Sequence, residues 1–562
     1  MFKQVLRSLA HVPRSAKPAA RRWYSSSTKS ASTTTSTNLA LTVGLTLGGS
    51  LAGYYFAQAS QASSGPLKST TSLADLKPLK YAEGESLKRG FQEIEALMKD
   101  DFTRSPSELE YHSDSYFNVH KANPDEKPKL IVYPHSTEQV SEIMKICNKY
   151  KIPIVPFSGG TSLEGQYIST IPGIVIDFSK MNQILQLNAS DLDVSVQAGV
   201  GWQELDEFLK PHNLLFGPDP GPGGMIGGMI GTSCSGTQAF RYGTMKEAVL
   251  NLTVVLADGT ILKTKQRSKK SAAGYNLTGL FIGSEGTLGV VTEATLKLHA
   301  RPNVESVIVV NFETVKEATK TVEQLLINGS SLNAIELLDS NMMKCINAAG
   351  QTTRQWLNKP TILFKVGGSN QAIVNENIKL VKNVTKENNA ISFQFATTEE
   401  EKFELWQARK LALFSTMDYG KQVLGQDAKL WITDVAVPIS KLSELIADTR
   451  RDLNQYEGKD GCVFSTCLGH VGDGNFHSCI MYKPEAHGIV QALTSRMVNK
   501  ALEYEGTCTG EHGVGLGKRH YLVKEVGENS IDLMRQLKLS LDPYGLLNSG
   551  KVFKMDINDK HP

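Results

Sequence analysis

Two stretches of the chain gather the residue types that hold metals and move protons. Gly469-His470-Val471-Gly472-Asp473-Gly474-Asn475-Phe476-His477 sets two imidazoles around a glycine-rich turn. The runs at 463–466 and 479–482 read as strands, and Asp473-Gly474 is a favoured two-residue hairpin turn. That register makes His470 and His477 cross-strand partners on one face, with Cβ atoms about 5 Å apart. Such a pair suits two ligands of one metal; it equally suits two hydrogen-bonded histidines beside a turn. Gly510-Glu511-His512-Gly513-Val514-Gly515 adds a carboxylate and a third imidazole, with glycines that let a bulky group approach the backbone. His470, His477 and Glu511 form a two-histidine, one-carboxylate set that leaves coordination positions open. His512, with an ordinary pKa near neutrality, suits a general base, or is a plain loop histidine.

Three glycine-rich runs supply a second kind of chemistry. They are Ser158-Gly159-Gly160-Thr161-Ser162-Leu163-Glu164-Gly165, then 217–232, then Gly283-Ser284-Glu285-Gly286-Thr287-Leu288-Gly289-Val290-Val291. Small residues in succession let backbone N–H groups converge on an anion such as a diphosphate. Neither GxGxxG nor GxxxxGK[ST] occurs, which argues against a dinucleotide fold of the NAD type and against a P-loop. Three separate runs suit one long dinucleotide threaded through a domain, with three ordinary tight turns as the plainer reading.

The elements that must position these groups follow from periodicity. Residues 130–133 read as a strand. Ser136 with Gln139 forms a capping box, and Val140, Ile143, Met144 and Cys147 share one helical face. Residues 152–155 form a second strand, so a β-α-β unit delivers the chain into the first glycine run. Leu280-Phe281-Ile282 reads as a strand entering the third.

In these features the chain resembles the FAD flavoproteins of the vanillyl-alcohol oxidase type. Pro156-Phe157-Ser158-Gly159-Gly160-Thr161-Ser162 matches their pattern, all three runs have counterparts, and the resemblance covers roughly 125 to 562. It implies an FAD site at Pro156, Ser158, Gly159, Gly160, Thr161, Ser162, Pro218, Gly224, Gly227, Gly228, Gly231, Thr232, Gly286, Val291 and Asn548. Some relatives bind FAD covalently through a histidine in the first loop; Gly160-Thr161 stands there, so noncovalent FAD is expected. The histidine and glutamate motifs resemble the branch acting on D-2-hydroxy acids. That likeness implies His470, His477 and Glu511 as ligands of a divalent metal, zinc or manganese. It implies His512 as the base for the hydroxyl proton, with hydride passing to flavin N5. Arg409, in Trp406-Gln407-Ala408-Arg409, would clamp the substrate carboxylate, for which a planar guanidinium is suited. In the hydroxyglutarate enzymes a lysine on the strand matching 431–438 meets the distal carboxylate; Ile432 stands here. An unpaired buried charge costs several kcal/mol, about, so a monocarboxylate such as D-lactate is expected, with D-2-hydroxyglutarate as the alternative. The resemblance further implies cytochrome c as electron acceptor. A reading of a different class, a non-catalytic anchored flavoprotein serving as an interaction module, sits poorly with the intact histidine set.

The implied fold is α+β, and the expected domains run as follows. Residues 1–37 are a mitochondrial transit peptide, 38–58 a transmembrane anchor and 59–110 a linker. An FAD domain of two β-α-β subdomains occupies 111–302, a cap with antiparallel sheet 303–530, and a segment returning to the FAD domain 531–562. The leader reading rests on charge: residues 1–74 hold eight basic groups and no acid, whereas 75–562 hold 52 basic against 57 acidic. Arg- and Ser-rich, acid-free composition marks a transit peptide. The uncharged stretch 39–57 would span about 28 Å as a helix. Its basic flank would stay in the matrix, placing an acidic body at the inner membrane in the intermembrane space. The net charge of +3 is therefore a sum over leader and body, and nucleic-acid binding is not expected. Seven scattered cysteines without a CxxC pair read as buried thiols.

Overall fold

The computed structural model describes residues 68–458 and 461–561. The leader 1–37 and the apolar stretch 39–57 lie outside the described residues. Among the described residues no helix is long and apolar enough to cross a membrane.

The first sheet has four strands: β1 (Phe102–Thr103), β2 (Leu130–Val132), β3 (Ile154–Phe157) and β4 (Ile174–Asp177), in the order β1-β2-β4-β3. β2 and β3 both run parallel to β4, so α1 (Thr137–Tyr150) is a true crossover helix. Ser136 Oγ accepts from Gln139 N at 3.2 Å, while Gln139 Oε1 accepts from His135 N at 2.7 Å, one residue earlier than a strict box. All three β2 side chains are buried, the pattern of a strand covered on both faces. A helix over Gly84–Met98 lays Phe91, Ile94 and Met98 into the same core.

The second sheet corrects the expected pair of β-α-β subdomains. β5 (Ile184–Asn188), β6 (Asp193–Gln197), β7 (Val249–Val255), β8 (Ile261–Lys263) and β9 (Val290–Lys297) form a five-stranded sheet, order β5-β6-β9-β7-β8, with every pairing antiparallel. A long excursion, including α2 (Ile226–Thr232), carries the second glycine run between β6 and β7. The run Leu280-Phe281-Ile282 is not a strand: Leu277–Phe281 is a short helix capped by Asn276, whose side chain accepts from Gly279 N. Three apolar residues carry no period, and the Asn cap decides the outcome.

The cap is built on an eight-stranded antiparallel sheet. β10 (Val304–Asn311), β11 (Ala334–Leu338), β12 (Thr361–Gly368), β13 (Ser392–Phe395), β14 (Lys429–Ile432), β16 (Val463–His470) and β17 (Asn475–Tyr482) follow the order β13-β10-β12-β11-β16-β17-β14. The short β15 (Val435–Ala436) also pairs with β17. One face packs α3 (Val315–Ile327) and α5 (Ile439–Asn454) into a large apolar core. The other receives α4 (Glu399–Leu424), whose Leu405, Trp406, Ala408 and Ala412 cover Val307, Leu363, Ile432 and Leu468. The chain end returns to the first sheet: Ile154 N donates to Leu546 O at 2.8 Å and Asn548 N to Ile154 O at 2.8 Å.

Candidate active site

The β16–β17 hairpin pairs Leu468 with His477, so His470 and His477 are not directly opposite. A turn over Val471–Asp473, closed by Gly474 at φ +74°, replaces the two-residue turn and moves the register by two. An even shift keeps both side chains on one face, and the rings stand 5.7 Å apart and nearly perpendicular. Glu511 meets them there: its Oε1 lies 3.2 Å from His470 Nε2 and 3.2 Å from His477 Nε2. The three ligand atoms lie within 4.8 Å of one another.

Each group is held from behind. His470 Nδ1 meets Glu336 Oε1 at 2.6 Å, and His477 Nδ1 meets Thr433 O at 3.0 Å. Ser235 Oγ donates to Glu511 Oε2 at 2.6 Å. A carbonyl cannot donate, so His477 carries its proton on Nδ1, and its Nε2 lone pair faces a carboxylate oxygen. That contact is repulsive unless the imidazole is charged or a cation lies between them. The donor set and its outer bonds therefore fit a divalent metal. Burial works to raise the Glu511 carboxyl, but His470 and His477 overcome it and hold it well below the usual range. Burial opposes charge on His470, yet Glu336 and Glu511 drive its pKa well above normal.

His512 stacks on His477, ring centroids 5.1 Å apart at 11°. Its loop is gripped by Asp434, which sits where the predicted strand 431–438 breaks between β14 and β15. Asp434 Oδ2 accepts from Glu511 N at 2.9 Å, His512 N at 3.0 Å and Thr509 Oγ1 at 2.8 Å; Oδ1 accepts from Asn475 Nδ2 at 2.8 Å. Burial opposes its ionisation, but His512, Lys518 and His477 hold it far below the carboxylate range. Burial pushes His512 down to about 4 against the pull of Asp434, so the imidazole is neutral near pH 7. Its Nδ1 is buried with no partner. The same loop is tied to the FAD-domain runs. Gln166 Nε2 donates to His512 O at 2.7 Å, and Glu285 accepts from Val514 N at 2.6 Å and Gly515 N at 2.8 Å.

The glycine runs form one surface. A Cβ on Gly159 would stand 2.2 Å from Gly223 O, and one on Gly227 would stand 3.2 Å from Ser158 Oγ. Gly160 has φ +63°, and Gly286, at φ +69°, packs against Pro156. Gly231 O accepts from Glu285 N at 2.9 Å, and Gly228 faces Ser158. Asn548, at φ +40°, donates to Gln166 O and Glu285 O, while its Oδ1 is buried without a partner. A cradle of glycines with only small neighbours, with an orphaned acceptor at its edge, fits a dinucleotide. Thr161 touches Gly223, and Ser162 continues the first run. Four expected positions sit less directly. Gly224 packs on Trp202, Thr232 Oγ1 bonds back to Gly228 O, Val291 pairs with Val254 inside the sheet, and Pro218 lies in the extended approach to α2.

Arg409, on α4, donates from Nε to Glu336 Oε2 at 2.7 Å; its terminal nitrogens have no hydrogen-bond partner among the described residues. Glu336 thus binds Arg409 and His470 together. It and Asp434 escaped the sequence reading, although each is a lone acid among apolar strand residues, in Ala334-Ile335-Glu336-Leu337-Leu338 and Trp431-Ile432-Thr433-Asp434-Val435.

Comparison with known proteins then names the family. Residues 301–552 match the model described as FAD linked oxidases, C-terminal domain, and 128–265 match the FAD binding domain. The chain is 51% identical over 494 residues to the D-lactate dehydrogenase (cytochrome), mitochondrial, of Kluyveromyces lactis, covering 87% of this chain and 85% of that one. It is 49% identical over 503 residues to D-lactate dehydrogenase (cytochrome) 1, mitochondrial, of Saccharomyces cerevisiae, covering 88% and 85%. The chain belongs to the FAD-linked oxidase family. Its fold is of the vanillyl-alcohol oxidase type: 4-ethylphenol oxidase from Gulosibacter chungangensis superposes with a TM-score of 0.69 at 16% identity, over 86% of this chain and 99% of that one. On this family's frame the first two glycine runs fall in the FAD-binding match. The triad, His512 and Arg409 fall in the C-terminal match, and the third run lies between the two.

Proposed function

We propose that the chain oxidises D-lactate to pyruvate and passes the electrons to cytochrome c. The observation that carries this reading is the convergence of Arg409, the His470/His477/Glu511 triad and neutral His512 beside the glycine cradle. The names of the half-identical relatives support it. Arg409 would hold the substrate carboxylate through its free guanidinium edge. His512, neutral and stacked, would take the hydroxyl proton as general base. His470, His477 and Glu511 would hold a divalent ion, zinc or manganese, which would supply Lewis acidity that eases ionisation of the hydroxyl. FAD held noncovalently by the glycine cradle would supply the two-electron sink for the hydride leaving C2. Ile432, 8% exposed and packed with Trp406 and Leu468, gives the site an apolar wall that favours a short monocarboxylate. The same relatives support a mitochondrial location, and the 39–57 stretch supports an inner-membrane anchor with the body in the intermembrane space.

Anaerobic mixing with D-lactate, L-lactate, glycolate and D-2-hydroxyglutarate tests the reading. D-Lactate is expected to bleach the oxidised flavin fastest, and an unbleached spectrum with D-lactate sinks the substrate assignment. Chelation should abolish turnover and a divalent ion restore it; full turnover in metal-free protein refutes the metal role.

A further inference from the structure

The first glycine run, read as an anion cradle, ends on an acid. Glu164 is 3% exposed, and a buried carboxylate is costly unless a cation or donors meet it. A diphosphate brings its own negative charge, so the cradle gains nothing from this one. What meets Glu164 is Lys518, whose Nζ stands 3.3 Å from Glu164 Oε1 and 3.6 Å from Asp434 Oδ2 and donates to Asp434 O at 3.1 Å. Lys518 is itself buried. Burial works against its charge, and Glu164 and Asp434 overcome it. The backbone closes the same contact: Glu164 O accepts from Leu516 N at 2.8 Å and Gly517 N at 3.2 Å. A Cβ on Gly517 would stand 2.6 Å from Glu164 Oε2. His120 Nε2 lies 3.8 Å from the same oxygen, but burial pushes this imidazole down to about 4, so it is neutral near pH 7. Among the described residues Lys518 is therefore the one full positive charge within ion-pair reach of Glu164.

Asp434 carries the other end. Its Oδ2 accepts from the N–H groups of Glu511 and His512, so it sets where the triad carboxylate stands. A continuous set of contacts thus runs from the first glycine run through Glu164, Lys518 and Asp434 to Glu511. Removing one member strands a buried charge on the others, so the three groups keep one arrangement together. We propose that Lys518 is a positioning residue that couples the two sites: a dinucleotide in the glycine cradle tightens divalent-ion binding at His470, His477 and Glu511. By linkage the ion then tightens the dinucleotide by the same factor. The proposal rests on the FAD and metal assignments above.

The test uses the holoenzyme. Free FAD in a dilution series, separated by ultrafiltration and read by absorbance, gives the FAD Kd with saturating zinc or manganese and again after chelation. Wild type, Lys518→Met, Lys518→Arg and Glu164→Gln are compared. In wild type, removal of the ion should weaken FAD binding roughly fivefold or more. In Lys518→Met and Glu164→Gln the two conditions should agree within about twofold, whatever the absolute affinity, and Lys518→Arg should recover most of the difference. A lysine with a merely structural role would weaken FAD binding alike in both conditions and leave the wild-type ratio in place; that result overturns the proposal, as does a wild-type ratio near one. Glu164→Gln retains the shape of its side chain and decides the matter if Lys518→Met does not fold. Elemental analysis separates this outcome from the earlier reading. An ion that binds without effect on FAD sinks the coupling alone, whereas protein that takes up no ion sinks the metal assignment and the coupling with it.

Discussion

The glycine cradle and the His470/His477/Glu511 triad are built by opposite means. In the cradle, glycine backbone meets small or ring neighbours at close range: Gly159 against Gly223 O, Gly227 against Ala198, Gly286 against the Pro156 ring. Little there depends on a distant side chain except Asn548 and the Gln166 and Glu285 bonds. In the triad every group is a side chain, and each is aimed by a partner from another element: Glu336 behind His470, Thr433 behind His477, Ser235 behind Glu511. A backbone site is specified by local composition. A side-chain site is specified by contacts that only the folded topology creates, so its weak points lie away from the ligands.

The largest effect should come from such a point. Asp434 is 1% exposed and accepts from two backbone amides, a hydroxyl and an amide side chain. Asp434→Asn turns one acceptor into a donor facing donors. Breaking a buried charged hub typically costs about 3–5 kcal/mol, and misplacing His512 by an ångström costs roughly a hundredfold in turnover. Steady-state kinetics and urea unfolding check both. Turnover within threefold of wild type would mean that the loop holds its shape without Asp434.

Next in size is a break in the cradle. Gly159→Ala puts a Cβ 2.2 Å from Gly223 O, an overpacking of about 1–3 kcal/mol. FAD retention, read by gel filtration and flavin absorbance, should fall roughly tenfold to a hundredfold by the same energy. Gly221→Ala is the control: nothing lies within 4 Å of its Cβ, and an exposed change of this kind stays within about 0.5 kcal/mol. Equal loss from both substitutions would mean that the run works by flexibility and not by close approach.

The same contrast explains what could be read from the chain. The β-α-β unit and the three glycine runs are local patterns and were legible. The hairpin was legible as a hairpin, but its register depends on Gly474 at φ +74° and on a turn over Val471–Asp473, which the Asp-Gly pair alone does not dictate. The antiparallel second sheet was missed because short apolar runs do not reveal their partner's direction. Glu336 and Asp434 were missed because their partners lie 134 and 78 residues away. The signal available was chemical: an acid inside an apolar strand is expensive unless something nearby needs it.

Glu336 offers a finer test. Glu336→Gln retains the shape of the side chain but cannot accept from both Arg409 and His470 as a carboxylate does. Loss of a metal ligand's outer partner typically weakens metal binding about 10–100-fold. Titration of metal-free protein with manganese or zinc measures this directly, and KM for D-lactate should rise with it because Arg409 is released. Metal affinity unchanged beside a raised KM would confine Glu336 to the substrate side.

The smallest effect expected is a slope with pH. Burial raises the Glu285 carboxyl to about 7, against the pull of Val514 and Gly515 N–H. Between about pH 4.5 and 7 the folded protein therefore holds a proton that the unfolded chain has lost, so stability falls as pH rises through that window. One such group contributes about 1.4 kcal/mol per pH unit at most. Glu285→Gln has no proton to lose and should flatten this part of the stability profile, measured by denaturant unfolding at fixed FAD concentration between pH 5 and 8. Because Glu285 joins the third glycine run to the loop behind His512, its substitution reports on both kinds of site together. If the slope survives in Glu285→Gln, the titrating group lies elsewhere.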